Sequence, residues 1–206
     1  MKVLLINGSP KEKGCTYTAL SEITSSLEAN GIETEIFHIG KEPIIGCVGC
    51  GACKKIGKCV HEDSVNIAAA KLDGVDGIVA GSPVHYAGAS GAVTSFLDRL
   101  FMSAGAKLKF KPAAVAASCR RGGSTATIDQ LNKYFNFNQM PLISGSYWNM
   151  VHGSNPDEVR QDLEGMQNMR NVGRNMAWVL KCIECGKENG ITIPEQETPV
   201  KTSFIR

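Results

Sequence analysis

The sequence has almost no net charge and no long apolar run near its start, and each absence removes a class of protein. Its 22 basic and 20 acidic side chains leave a net charge of +2, so a nucleic-acid partner has no electrostatic support. The first apolar run, residues 3–6, is shorter than the roughly 7 to 15 residues of a signal peptide or the about 20 of a membrane helix. We therefore expect a cytoplasmic protein with no membrane partner.

Internal repeats and low-complexity segments are also lacking, which disfavours a solenoid or a disordered chain. The 206 residues, of which 43% are hydrophobic, suit one domain spanning residues 1–206. Its eight cysteines, in a compartment that keeps thiols reduced, are better explained as metal ligands, reactive thiols or small buried groups than as disulfides.

Short β-prone apolar runs alternate with stretches long enough for helices. The runs cover residues 3–6, 33–39, 77–80, 113–117 and 141–144. The intervening helices are predicted around Leu20, Ile23 and Leu27, with a stop at Asn30-Gly31, and near residues 64–72, 90–102 and 124–134. Such alternation is typical of a parallel sheet with crossover helices. We therefore expect an α/β domain with a doubly wound, five-stranded parallel sheet.

A long C-terminal helix and tail are predicted for residues 154–206. The run Ser154-Asn155-Pro156-Asp157-Glu158 suits a helix N-terminus, with a cap residue, a proline near the first turn and two acids. A helix running to Gly190 would be too long for so small a sheet, so we expect a break at Gly165 or Gly173. The tail should be extended, with Phe204-Ile205 docked on an apolar surface. The excess helix predicts a homodimer or homotetramer.

Three loops rich in small residues follow the first, third and fourth predicted strands. They begin at Gly8-Ser9-Pro10, Gly81-Ser82-Pro83 and Ser118-Cys119-Arg120, and the first of them enters a helix. Ligands of open α/β sheets bind outside the carboxyl ends of the strands, and a helix N-terminus there binds phosphate. The spacing matches neither the P-loop nor G-x-G-x-x-G. Together the loops predict a crevice for a flat ligand with a phosphate tail.

These loops carry a resemblance to a known family. Gly8-Ser9-Pro10 with Gly14-Cys15-Thr16, then Gly81 to Tyr86 followed by Phe96-Leu97-Asp98-Arg99, and finally Gly122-Gly123, resemble the NAD(P)H-dependent FMN reductases of flavodoxin-like fold. Within that family the chain resembles the iron-sulfur flavoproteins and their cluster-free relatives. The resemblance covers about residues 1 to 145. It implies a three-layer fold with strand order 2-1-3-4-5 and an FMN cofactor.

The resemblance also assigns roles to residues of the three loops. It implies that the FMN phosphate is held by Ser9, Lys11, Cys15 and Thr16. It implies that the isoalloxazine is held by Pro83, Val84, His85, Tyr86 and Gly88, with its other edge closed by Cys119, Arg120 and Gly123. His85 and Tyr86, beside the ring, are the candidate catalytic residues, as groups that shape the hydride pocket.

A Gly-rich loop, residues 46–60, holds four cysteines at compact spacing: Cys47, Cys50, Cys53 and Cys59. The C-x2-C-x2-C part wraps three thiolates around one face of an iron-sulfur cluster, and a fourth cysteine follows. We therefore consider a [4Fe-4S] cluster. A zinc site also accepts four thiolates, although its ligands more often form two separated pairs. A cysteine-rich loop without metal is the third alternative.

Trp148, Asn149 and His152 follow the last predicted strand, so we expect them to overhang the same crevice. An exposed tryptophan with an amide and an imidazole can stack on a planar aromatic substrate and hydrogen-bond it. A structural role for these residues remains the alternative.

The predicted function is an FMN-containing oxidoreductase that passes a hydride from NAD(P)H to a small acceptor. Candidate acceptors are quinones, free flavin, nitro- or azo-aromatics and activated alkenes such as flavonoids. The flavin would supply the chemistry while the protein positions it. Two alternatives remain: an iron-sulfur flavoprotein that relays electrons between redox partners, and a metal-stabilised binding module without flavin.

Overall fold

The computed structural model describes residues 1–204, and its centre is a mostly parallel sheet. Its strands are β1 (Lys2–Asn7), β2 (Glu33–His38), β3 (Gly77–His85), β4 (Gly88–Ala89), β5 (Ala113–Cys119) and β6 (Met150–His152). The main path runs β2-β1-β3-β5-β6, and short β4 pairs antiparallel with the end of β3. With β4 set aside, the parallel strands follow the expected order 2-1-3-4-5.

Helices cover both faces of the sheet. They are α1 (Cys15–Glu28), α2 (Cys53–Ile56), α3 (Ser64–Lys71), α4 (Gly91–Ala104), α5 (Ser124–Phe137), α6 (Pro156–Gln161) and α7 (Leu163–Glu188), with 3-10 turns at Leu72–Gly74 and Gly105–Leu108. Alternate residues of β1 serve the two layers, because successive side chains of a strand point to opposite faces. Leu4 and Ile6 pack with α3, α4 and α5, whereas Val3 and Leu5 pack with α1 and α7. The three-layer flavodoxin-like fold is confirmed.

The last strand is not where the sequence pattern placed it. In the predicted strand at residues 141–144, Leu142 forms an isolated bridge to Ala113 at the start of β5. The end of β5 pairs instead with β6, which forms this edge of the sheet. Between the two, Asn168 of α7 holds the chain away from the sheet by accepting from the Ser146 and Tyr147 amides. Contacts from a distant helix therefore overrode the local β propensity.

The C-terminal helix breaks earlier than expected. The helix α6 begins after Asn155, whose side chain caps it, and α7 begins after Asp162, whose side chain accepts from the Gly165 amide. Gly173 lies inside α7, where an added Cβ would stand 2.6 Å from the Ser26 Cβ of α1. The break is thus made by a capping aspartate, while this glycine lets two helices approach closely.

The tail after α7 lies exposed along the protein. Phe204 is exposed, which contradicts the expected docking, and Ile205 and Arg206 lie outside the described residues. Among residues 1–204, no helix has both the length and the apolar character that crossing a bilayer requires.

Candidate functional site

An open cavity of about 200 Å³ lies at the carboxyl ends of β1, β3 and β5. Its wall includes nine of the residues assigned to FMN from the sequence, namely Ser9, Lys11, Cys15, Thr16, Pro83, Val84, His85, Cys119 and Arg120. The three loops therefore meet in one crevice. Three further residues line the cavity without having been assigned a binding role from the sequence: Pro10, Ser118 and Gly153.

The N-terminus of α1 lies in the wall of the crevice. Its cap residue, Gly14, has no side chain to bond the first-turn amides, and two of the residues that carry these amides, Cys15 and Thr16, line the cavity. Lys11 and Arg120 add positive charge at the rim. The Thr16 and Ser118 hydroxyls, 2.8 Å apart, lie buried in the wall. Amide donors, hydroxyls and two cations are the set that a phosphate dianion requires.

Two side chains missed in the sequence hold the loop that follows β1. Asn7 is fully buried; its Oδ1 accepts from the Ser9 amide and its Nδ2 donates to the Glu12 carbonyl. His38 Nε2 lies 2.8 Å from the Ser9 carbonyl oxygen. Both residues end a strand, which is the one sequence feature that marks them. Their contacts with Ser9 and Glu12 hold the loop that follows β1 in place.

Two cysteine thiols also line the crevice. Burial raises the pKa of Cys15 and also that of Cys119. Both thiols are therefore neutral at pH 7 and place no negative charge against a phosphate group. Their position suits a packing role beside a ligand, since a reactive thiol needs a lowered pKa.

The β3–β4 hairpin forms the far rim of the crevice. Tyr86 and Ala87 at its tip have φ values of +48° and +60°, as a tight two-residue hairpin turn demands. Tyr86 is fully exposed and, like Gly88, does not line the cavity. Gly123 packs closely against the hairpin. A Cβ at this position would stand 2.5 Å from the Ala87 Cα, so the close approach requires glycine. The structure therefore brings His85 to the cavity but leaves Tyr86, Gly88 and Gly123 outside its lining.

The predicted substrate residues lie elsewhere. Asn149 is buried and hydrogen-bonds the Gly145 amide and the Ile143 carbonyl. Trp148 packs edge-on against Tyr147 and lines a separate cavity of about 540 Å³ between α5 and residues 142–149. The His152 ring faces Asp162. The structure thus does not bring these three side chains together with the strand-end crevice.

All four cysteines of residues 46–60 face a third cavity, of about 170 Å³. Cys47 and Cys50 are exposed, while Cys53 and Cys59 are half-buried. Arg99 of α4 forms part of the wall, and its Nε donates to the Cys59 Sγ at 3.2 Å. Within residues 1–204, no three potential ligands stand close enough together to hold a metal ion. The four cysteine side chains therefore line one cavity, but their sulfur atoms do not converge on a single point.

Comparisons with known proteins agree with this geometry. Residues 1–155 match the family model of NADPH-dependent FMN reductase. An iron-sulfur flavoprotein of Methanocaldococcus jannaschii is 31% identical over 192 residues, which cover 89% of this chain and 100% of that protein.

Two solved structures share the fold at low sequence identity. One is RosB with a bound 8-demethyl-8-formylriboflavin-5'-phosphate intermediate, with a TM-score of 0.69 at 15% identity, covering 100% of this chain and 94% of the other. The other is a WrbA-like flavodoxin of Agrobacterium tumefaciens, with a TM-score of 0.62 at 16% identity, covering 88% and 97%.

Proposed function

Because the chain belongs to the NADPH-dependent FMN reductase family and has iron-sulfur flavoproteins among its relatives, we propose that it oxidises NAD(P)H and reduces a small acceptor. It is an FMN-dependent oxidoreductase. In the proposed reaction NAD(P)H gives up a hydride, the acceptor gains that hydride and a proton, and NAD(P)⁺ leaves. FMN, when bound, supplies the hydride-accepting and hydride-donating ring.

The observation that carries this proposal is the crevice at the α1 N-terminus. The first-turn amides of α1, Lys11 and the Thr16–Ser118 hydroxyl pair fit a phosphate group at one end of the cavity. His85, at the end of β3 in the same cavity wall, would border the ring and shape the space where the nicotinamide and the acceptor approach. Arg120, on the loop after β5, would add a donor to the bound cofactor.

Substitution of Thr16 tests the phosphate site. Thr16 is 1% exposed in the crevice wall, so Thr16→Glu would put a bulky carboxylate against the phosphate, and purified protein should lose its flavin. Ser25→Glu, on the exposed face of the same helix, should keep it. Because Thr16→Glu can also disturb folding, Lys11→Glu at the exposed rim gives a second measurement and should weaken FMN binding. A colourless wild-type protein that ignores added FMN would overturn the proposal.

The nicotinamide step has its own test. Rapid mixing with NADH or NADPH under anaerobic conditions should bleach the flavin absorbance of the wild-type protein. Steady-state turnover with a quinone, free flavin, a nitro- or azo-aromatic and an activated alkene would then rank the acceptors. Trp148 lines a different cavity, so Trp148→Ala should leave both half-reactions unchanged, and slower flavin reoxidation at an unchanged reduction rate would instead indicate a role in acceptor binding. Protein whose flavin neither nucleotide reduces would contradict the proposed donor.

A second candidate function is electron relay through a [4Fe-4S] cluster held by Cys47, Cys50, Cys53 and Cys59. It is favoured by the four sulfur atoms around one cavity and by the names of the relatives. The donor set fits such a cluster, whose stoichiometry is about four iron and four sulfide per chain. Closing the loop around it would need the thiols to move together, which Gly-rich exposed chain permits.

Metal analysis of anaerobically purified protein tests this second candidate. Cys50→Ser should lose iron and sulfide while keeping FMN. Cys182→Ser, at an exposed position on α7, is the matched control and should keep iron, sulfide and FMN. Flavin-containing wild-type protein without iron would leave the cysteines as a metal-free loop. The reduced thiols required here go with the cytoplasmic location predicted from the sequence.

Self-association is proposed on the exposed apolar side chains of the C-terminal segment. Leu163 and Trp178 of α7, with Ile191 and Ile193 after it, are all exposed. Exposed apolar side chains can form part of a subunit interface when they lie together on the surface. Light scattering at micromolar concentration should give the mass of a dimer or tetramer, and a monomer mass would refute the proposal.

A further inference from the structure

The buried guanidinium of Arg99 lies directly behind the cysteine loop. Arg99 is 1% exposed and is among the largest fully buried side chains of the domain. A charged group in such a place requires a complete set of partners, because an unpaired buried charge is strongly unfavourable. The hydrogen-bond acceptors of Arg99 therefore indicate which segment of the chain it holds in place.

Every N–H of this guanidinium has an acceptor, and all the acceptors lie in residues 45–63. Asp63 accepts two bonds, from Nη1 at 2.5 Å and from Nη2 at 3.0 Å. The Ile45 and His61 carbonyls accept one each, at 3.4 and 2.9 Å. The fifth donor, Nε, bonds the Cys59 Sγ at 3.2 Å. Five donors thus tie the segment with the four cysteines to α4.

We propose that Arg99 is a positioning residue that fixes Cys59 and, with Asp63, sets the reduction potential of the iron-sulfur cluster in the second candidate function. The inference rests on that proposed cluster. Four thiolates carry high negative charge, and a reduced cluster carries one unit more. A fixed N–H···S hydrogen bond beside a cation therefore stabilises the reduced state.

The two members of this ion pair should act on the potential in opposite directions. Removing the Arg99 donor and its charge disfavours the reduced cluster, so the potential falls. Removing the negative charge of Asp63 leaves the guanidinium uncompensated beside the sulfur, so the potential rises. If the pair merely held the loop in place, either substitution would break the same contact and shift the potential in the same direction.

The experiment compares Arg99→Gln, Arg99→Lys and Asp63→Asn in anaerobically purified, FMN-containing protein. Asp63 also caps α3 by accepting from the Val65 amide, a role that asparagine keeps. The control is Arg160→Lys, in an exposed ion pair with Asp157. Iron and sulfide are measured first, and the cluster is then titrated with a chemical reductant and followed by electron paramagnetic resonance.

At a fixed ambient potential, Arg99→Gln should lower the ratio of reduced to oxidised cluster about tenfold, which is about 59 mV for one electron. Arg99→Lys keeps the charge without the planar donor fork and should lie between this variant and wild type. Asp63→Asn should raise the ratio, and Arg160→Lys should leave it unchanged.

Three results would overturn the inference, and they are distinguishable from one another. Wild-type protein without iron removes the cluster proposal and this inference together. Loaded variants with the wild-type potential, or shifts of one sign in Arg99→Gln and Asp63→Asn, remove only the inference. Where Arg99→Gln loses its iron, the sign of the Asp63→Asn shift decides alone: a rise supports the role, and no change or a fall overturns it.

Discussion

The strand-end crevice and the cysteine loop are both built from glycine, small residues and cysteine, yet different forces hold them. The crevice consists of the last residues of parallel strands and the first turn of a long helix, so sheet hydrogen bonds fix most of its wall. Residues 40–52 contain no helix or strand, and Cys47 and Cys50 are exposed. The crevice is therefore prepared before any ligand arrives, whereas the loop depends on a few side-chain anchors.

This difference matters for how each region would take up its cofactor. A preformed site binds without a large ordering cost, because its donors already point at the ligand. A loop whose ligands do not yet converge couples metal binding to local folding. Damage to the crevice should therefore unsettle the whole domain and FMN together, while damage to the loop should remain local.

The largest effect is expected from Gly8→Val, at the base of the crevice. An added Cβ would stand 2.5 Å from the Val93 Cγ2 and 2.7 Å from the Gly81 carbonyl oxygen, which belongs to the central strand and has little freedom to move. We expect the free energy of unfolding to fall by about 3 kcal/mol, as for other overpacked sites, with loss of FMN. Urea denaturation and flavin content measure both.

Gly91→Ala is the matched control for that substitution. Gly91 begins α4, and an added Cβ there has no neighbouring atom within 4 Å. Its unfolding free energy should stay within about 0.5 kcal/mol of wild type. Equal stability of Gly8→Val and Gly91→Ala would mean that the crevice wall yields as readily as open surface, and the comparison would fail.

A smaller but still global effect is expected from Ser90→Ala. The buried Ser90 hydroxyl donates to the Gly8 carbonyl at 3.1 Å and caps α4 by accepting from the Val93 amide. Loss of the cap and of a partner for a buried carbonyl should lower the unfolding free energy by about 2 kcal/mol. FMN affinity should fall as well, because this bond connects α4 to the loop that follows β1.

The control for Ser90→Ala is Ser25→Ala, at an exposed position on α1 whose hydroxyl bonds only the Ser21 carbonyl within its own helix. It should change neither stability nor flavin content. A Ser90→Ala protein with wild-type flavin affinity would show that α4 does not brace the crevice.

The same contrast explains which features were accessible from the sequence. Parallel strands and their loops are local patterns, so most of the sheet and the meeting of three loops in one crevice were predictable, as was the grouping of four cysteines. Side chains that act across the fold left no such pattern. Asn168 moved the last strand and carried Trp148 away from the crevice, and Asp162 broke the C-terminal helix. Arg99 appeared only as part of a resemblance, because the four residues that accept its five hydrogen bonds lie 36 to 54 residues away.

The smallest effect on folding is expected from Asn66→Ala, a substitution at the second anchor of the cysteine loop. The Asn66 side-chain Oδ1 accepts from the Cys59 backbone N–H at 3.1 Å. Its Nδ2 donates to the Cys59 carbonyl at 2.9 Å and to the His61 carbonyl at 3.2 Å. Since the segment is half-exposed, water replaces these bonds on substitution, and the unfolding free energy should fall by only about 1 kcal/mol. FMN content should be unchanged, while hydrogen exchange at the Cys59 amide should accelerate and any bound iron should pass faster to a chelator. Asn136→Ala, at an exposed position on α5, should alter none of these. If Asn66→Ala instead lost FMN as well as accelerating exchange at Cys59, the two regions would form one cooperative unit. The distinction between a preformed crevice and a loop held by side-chain anchors would then not hold.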